Sequence, residues 1–155
     1  MKPVRNAKLA QDKEYAFAVI EKCGFFTMAT VGPDGMPYCI PLSMVREGRW
    51  LYFHSAHEGH KIENLRNNSR VCISCVGGNA VPPGKFNIDY ESAVIFGTAS
   101  EVVSAEEKIH ALGLISERYT PGNMSAFDAS IEKNLERTAV WKIHMDEISG
   151  KGRIL

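Results

Sequence analysis

Along most of this chain apolar and polar residues alternate with a period near two, and four stretches switch to a helical period. Residues 12–23 read as a helix: Tyr15, Ala18, Val19 and Lys22 share a face, and Gly24 stands where a helix ends. Residues 25–31 are β-branched and aromatic with no helical period. Gly32-Pro33-Asp34-Gly35 then turns the chain, and residues 36–46 return as the second strand of a hairpin. Pro37 and Pro41 lie inside that strand. Neither can donate to a ladder, so they mark an edge or a bulge.

After Glu47-Gly48 come a third strand at 50–55, a helix at about 60–67 and a fourth strand at 70–76. Residues 77–88 shift to glycine, proline and asparagine and read as an exposed loop. A long strand follows at 90–103, with Gly97 predicting a bulge or sharp bend. Ser104 with Glu107 forms a capping box for a helix to about 119. Thr120-Pro121-Gly122-Asn123 breaks it, a short helix is expected over 125–135, and residues 138–149 alternate as the last strand. Hairpins without regular βαβ alternation predict an antiparallel barrel or α+β sheet, not a doubly wound fold.

At 155 residues the chain fits one domain able to bury its own core. Eighteen basic and eighteen acidic residues leave no net charge. That removes the electrostatic reason to expect nucleic acid or an anionic membrane as a partner, and it suits a surface partly hidden by self-association. The first twelve residues lack the apolar run of a secretory signal, and no stretch is long and apolar enough to span a bilayer. Cys23, Cys39, Cys72 and Cys75 are scattered among apolar residues, so a cytoplasmic chain with reduced thiols is expected.

Candidate chemistry concentrates in Tyr52-Phe53-His54-Ser55-Ala56-His57-Glu58-Gly59-His60-Lys61. A strand ends in hydrogen-bonding residues, glycine permits close backbone approach, and a helix begins around a lysine. Free N–H groups at a helix start, with an ammonium and a hydroxyl, suit a phosphate. An ordinary capped strand-to-helix turn is the competing reading. In Ile40-Pro41-Leu42-Ser43-Met44 the prolines leave backbone groups for the polar edge of a flat heteroaromatic, with Leu42 and Met44 facing its rings; the alternative is protection of a sheet edge. His54, His57 and His60 recur every third residue, but no single periodicity unites them and no cysteine or carboxylate completes a metal site. Cys72 and Cys75 point to opposite faces of a strand and read as buried structural thiols. Trp141 reads as core, with ligand stacking as the alternative.

Several stretches, in order and spacing, resemble the FMN-binding split barrels related to pyridoxamine-phosphate oxidase, especially the branch that includes nitroimidazole-resistance flavoproteins. They are Gly35-x-Pro37-x-x-x-Pro41-Leu42-Ser43, Tyr52-Phe53-His54-Ser55-Ala56, Gly59-His60-Lys61 with Leu65, Arg70-Val71-Cys72-Ile73, Tyr90 to Gly97, Trp141-Lys142-Ile143, and Gly150-Lys151-Gly152-Arg153. The resemblance spans about residues 12–153. It implies a six-stranded antiparallel split β-barrel with flanking helices, dimerising through its sheet, with two FMN molecules at the subunit interface. By position, Lys61, Ser55 and His60 would hold the phosphate, Pro41, Leu42 and Ser43 the flavin edge, and His54 the ribityl chain or ring. Glu91, Ser92 and Trp141 would complete the pocket from the partner chain.

The vitamin oxidases carry a C-terminal arginine and histidine that recognise their substrate's phosphate. This chain ends Lys151-Gly152-Arg153-Ile154-Leu155 without a histidine, which speaks against the vitamin as substrate. The implied activity is an FMN-dependent oxidoreductase, passing electrons from a reduced pyridine nucleotide or another donor to a nitroaromatic or quinone. The alternatives are an amine oxidase and a non-catalytic flavin or haem carrier or sensor; a deazaflavin could also replace FMN. No G-x-G-x-x-G fingerprint is present, so a nicotinamide would dock without its own Rossmann domain.

Overall fold

The computed structural model describes residues 1–153. Eight antiparallel strands form one open sheet. They are β1 (Ala10–Gln11), β2 (Phe26–Val31), β3 (Pro37–Leu42), β4 (Val45–Glu47), β5 (Trp50–Ser55), β6 (Arg70–Ala80), β7 (Asp89–Glu101) and β8 (Ala139–Gly152). Their order is β3-β2-β6-β7-β8-β5-β4, with β1 pairing to β8. Six strands are long, as expected for a split barrel. The count of eight comes from two short additions, β1 and β4.

Four α-helices interrupt the strands: α1 (Lys13–Lys22), α2 (His60–Asn67), α3 (Ala105–Tyr119) and α4 (Phe127–Asn134). The main core lies on the inner sheet face, where Phe26, Met28, Phe53, Ile73, Ile95 and Ile143 are fully buried beneath α1 and α2 residues such as Ile20 and Ile62. A smaller cluster of Tyr52, Val102, Ala111, Ile115 and Val140 packs α3 on the opposite face of β5 and β8. Burying that second face requires the apolar stripe of α3, hence the helical excursion before β8.

Several boundaries differ from the sequence expectation. The returning hairpin strand breaks at Ser43-Met44 into β3 and β4, because the Tyr119 hydroxyl engages both backbone groups of Met44, at 3.1 Å from its nitrogen and 2.8 Å from its oxygen. Met44 is fully buried, so its side chain packs in the core and does not face a ligand ring. The expected loop at 77–88 shortens to 81–88, since Gly78, Asn79 and Ala80 pair with Glu91, Tyr90 and Asp89 after a bulge at Gly77. The last strand runs on to Gly152 by pairing with the lengthened β7. The helix expected over 125–135 is α4 flanked by 3-10 turns, Pro121–Ala126 and Leu135–Arg137.

Gly97 does mark a shift in register. A Cβ there would come within 2.6 Å of the His144 carbonyl oxygen. Pro37 and Pro41 lie on β3, whose only strand partner among the described residues is β2, so both prolines sit on a sheet edge where a missing donor costs little.

Candidate functional site

The turn from β5 into α2 leaves its helix start without a side-chain cap. Gly59 occupies the cap position with φ 123° and ψ 163°, a backbone region that side chains strongly disfavour. It brings no side chain to cap the helix, and its carbonyl accepts from the amides of Ile62 and Glu63 at 2.8 and 3.1 Å. That leaves the N–H groups of His60 and Lys61, the first two helical residues, without an intrahelical acceptor.

The frame beneath is firm. Asn64 and Thr30 are both buried, and the Asn64 amide donates to the Thr30 hydroxyl at 3.0 Å, which ties α2 to β2. His60 stacks on Tyr38 of β3 with ring centroids 4.0 Å apart, so the helix start is held against the edge strand. Neither Tyr38 nor Asn64 was singled out from sequence. Asn64 did carry a signal, an amide between Ile62 and Leu65 on an otherwise apolar helix face. Tyr38 carried none, because its partner lies more than twenty residues away.

The other expected residues fall into three groups. Ser55 lies at the end of β5, its hydroxyl donating to the Ala56 carbonyl at 2.7 Å, close to the helix start. Pro41 is exposed on β3, Leu42 packs partly into the core, and Ser43 lies in the break held by Tyr119. This edge runs on from Tyr38 along the same strand, about 10 Å from the helix start.

His54 is on the other side of β5. It lines a cavity of about 200 Å³ under α3 and α4 with Leu112, Ile115, Phe127 and Ile131. The surrounding protein, and secondarily the Lys61 charge, hold its imidazole below the usual histidine pKa. His57 instead meets the Glu136 carbonyl at 2.9 Å, so the three histidines serve different neighbours.

Glu91, Ser92 and Trp141 do not join the helix start within one chain. Glu91 takes both oxygens to Lys22 at 3.0 Å, and Ser92 donates to the Lys151 carbonyl at 2.9 Å. Ten residues along β7 from Glu91, Glu101 lies near α2, 4.0 Å from Arg66 and 3.8 Å from His57. At ~3.3 Å per residue, Glu91 and Ser92 are on the order of 30 Å from that end. Trp141 pairs with Phe53 and Glu101 and is 4% exposed, inside the core. Its indole N–H is the one buried side-chain polar group without a partner among the described residues.

Cys75 is buried beside Cys23, and burial pushes its thiol up to about 12. Cys72 differs from the expectation of a buried thiol: it is half-buried on the outer sheet face, in a row with Ala29 and Cys39. No helix among the described residues is long and apolar enough to cross a membrane.

Comparison with solved structures finds the same fold. A protein described as a 5-nitroimidazole antibiotic resistance protein from Bacteroides thetaiotaomicron is 28% identical, with a TM-score of 0.76 over 92% of this chain and 85% of that one. The flavocytochrome Anf3 from Azotobacter vinelandii is 23% identical, with a TM-score of 0.83 over 98% and 72% of the two chains. An FAD- and haem-binding protein from Mycobacterium smegmatis is 24% identical, with a TM-score of 0.77 over 91% and 71%. No curated protein sequence matches the chain. The sequence profile of the pyridoxamine 5′-phosphate oxidase family matches residues 12–152, nearly the whole length, and the chain belongs to that family.

Proposed function

We propose that this protein is an FMN-dependent oxidoreductase, working as a homodimer, that reduces a small acceptor such as a nitroaromatic or quinone. The observation that carries this reading is the uncapped start of α2, where Gly59 leaves the helix amides open beside Lys61 and Ser55. A phosphate fits that donor set: backbone N–H groups, an ammonium and a hydroxyl, at the positive end of a helix dipole. FMN, when bound, supplies the chemistry, taking electrons from a reduced pyridine nucleotide or other donor and giving them to the acceptor. The chain's part is to bind and orient. Lys61 and the α2 amides hold the phosphate, and the β3 edge from Pro41 to Ser43 offers backbone groups to the polar rim of the ring system.

Two features support a dimer. Glu91 and Ser92 lie too far along β7 to serve the α2 of their own chain, so any part they play in a flavin pocket is played across a subunit boundary. Across β3, β2, β6 and β7 the outer sheet face also carries small and apolar rows of Pro41, Thr27, Ser74 and Val94, and of Cys39, Ala29, Cys72 and Phe96. A second copy would cover such a face. The similarity to the nitroimidazole-resistance structure favours a nitroaromatic among acceptors.

The test is reconstitution followed by turnover and sedimentation. The reading expects a flavin visible spectrum with FMN, NADH consumption that depends on a nitroaromatic or quinone, and a dimer that loosens when FMN is stripped. A holo protein that stays monomeric, or one that takes up haem in preference to FMN, would overturn it.

A further inference from the structure

Far from the α2 cradle, a groove of about 380 Å³ opens between the N-terminal segment, the loop at 81–88 and the end of β8. Lys8, Lys85 and Arg153 line it with the amide side chains of Gln11 and Asn87, and Asp89 is the one carboxylate among the lining residues described. In a chain of zero net charge this is a local excess of cations.

Each cation stands on a segment that backbone contacts hold. Lys8 lies in the 3-10 turn Ala7–Leu9, where the Asn6 side chain accepts from its amide at 3.2 Å, and β1 pairs that segment to Gly150 and Lys151. Lys85 follows Gly84 (φ 69°) in a turn whose amide reaches the Pro82 carbonyl at 3.3 Å. The Arg153 amide donates to the Tyr90 carbonyl at 2.9 Å, extending the β7–β8 ladder. Its guanidinium meets Asp89 only at 3.9 Å, a loose contact that leaves most of its donors for another acceptor.

We infer that this groove is a second anion site, binding a phosphate ester of nucleoside-diphosphate type. The volume falls within the usual ~300–1,000 Å³ of small-molecule sites and exceeds what a bare phosphate needs. Three cations match a diphosphate, the two amides can donate to and accept from a polar body, and Asp89 can accept from a hydroxyl. The inference does not rest on the flavin reading. If that reading holds, the groove offers the diphosphate of a reduced pyridine nucleotide a place to dock in a chain without a dinucleotide fingerprint.

Calorimetric titration of the full chain with ADP at low ionic strength is the test. ADP should bind, pyrophosphate should compete and adenosine should not bind. Lys85→Gln and Arg153→Gln should each weaken ADP roughly threefold to tenfold, and Asp89→Asn should tighten it, with the affinity falling as salt rises. Lys61→Ala should leave ADP binding unchanged. Absence of binding at millimolar ADP would overturn the inference, and so would binding lost in Lys61→Ala but untouched in Lys85→Gln and Arg153→Gln. The Lys61→Ala arm separates this groove from the α2 start, and no readout needs turnover, so this inference and the proposed function fail separately.

Discussion

Helices α2 and α3 each follow a long strand of the same sheet, and they begin in opposite ways. At α3, Ser104 accepts from the Glu107 amide at 3.4 Å, and Glu106 and Glu107 place carboxylates in the first turn. At α2, Gly59 offers no side chain, the first two positions are His60 and Lys61, and the first helical carboxylate, Glu63, comes only at the end of the first turn. A helix start carries roughly half a positive charge. At α3 the chain neutralises it; at α2 the chain adds to it. Even α1 follows the α3 pattern, with Asp12 accepting from the Tyr15 amide at 2.8 Å and Glu14 in the first turn. α4 also lacks a side-chain cap, but it carries Asp128 in its first turn. Among the described α-helices, α2 is the one that combines a missing cap with a lysine at its second position, a combination that favours an external anion.

The most damaging change to that contrast is Gly59→Asp, which would give α2 a carboxylate of its own and repel a phosphate. FMN affinity should fall by more than about a hundredfold, combining charge repulsion with backbone strain of ~1–3 kcal/mol at positive φ. Gly59→Ala carries the strain alone and should lower thermal stability with a smaller loss of flavin. Measuring both affinities by flavin fluorescence separates the causes. Equal losses in the two variants would remove the electrostatic part of the argument.

Removing the lysine is milder. Lys61→Ala should weaken FMN by about 1.5–3 kcal/mol, the range for a charge-assisted hydrogen bond, while riboflavin, which has no phosphate, should hardly change. If riboflavin suffers as much as FMN, Lys61 does not serve the phosphate.

The local part of this site was legible in the sequence. Ser55, Gly59, His60 and Lys61 are close along the chain, and a strand ending in glycine before a lysine-led helix has one simple geometry. The Ser104 cap was legible for the same reason. What escaped depends on contacts distant in sequence. Nothing near Met44 announces that Tyr119, 75 residues on, will clamp it and split the strand. Residues 77–80 look like loop because glycine and asparagine are poor strand formers, yet pairing with Asp89–Glu91 overrides that preference. His54 was legible as a neighbour of the phosphate turn, but side-chain alternation along β5 and the late helices put it in a separate cavity.

A change at the capped helix should do the converse of those at α2. Ser104→Ala removes the acceptor for the Glu107 amide and should cost ~1 kcal/mol of stability, with FMN affinity unchanged. Thermal melting and flavin titration of one preparation give both numbers. A loss of flavin without a loss of stability would mean that the two helix starts are not independent.

The smallest expected effect reads the α2 field directly. The His54 imidazole is held below its usual pKa first by burial and second by the Lys61 charge. Because the folded state resists protonating it, the unfolded chain binds more protons as pH falls through the ordinary histidine range. His54 therefore withdraws stability on acidification and restores it on return to neutral pH. Solvent screening at its exposed edge keeps this contribution small. In Lys61→Ala the burial remains and the charge is gone, so the His54 titration followed by NMR should move part of the way back up. FMN bound at α2 should move it in the same direction, since a phosphate dianion would offset the lysine. If His54 titrates identically in wild type, in Lys61→Ala and with FMN bound, then the ammonium does not project toward the β5–α2 turn, and the open helix start would hold its anion through backbone amides alone.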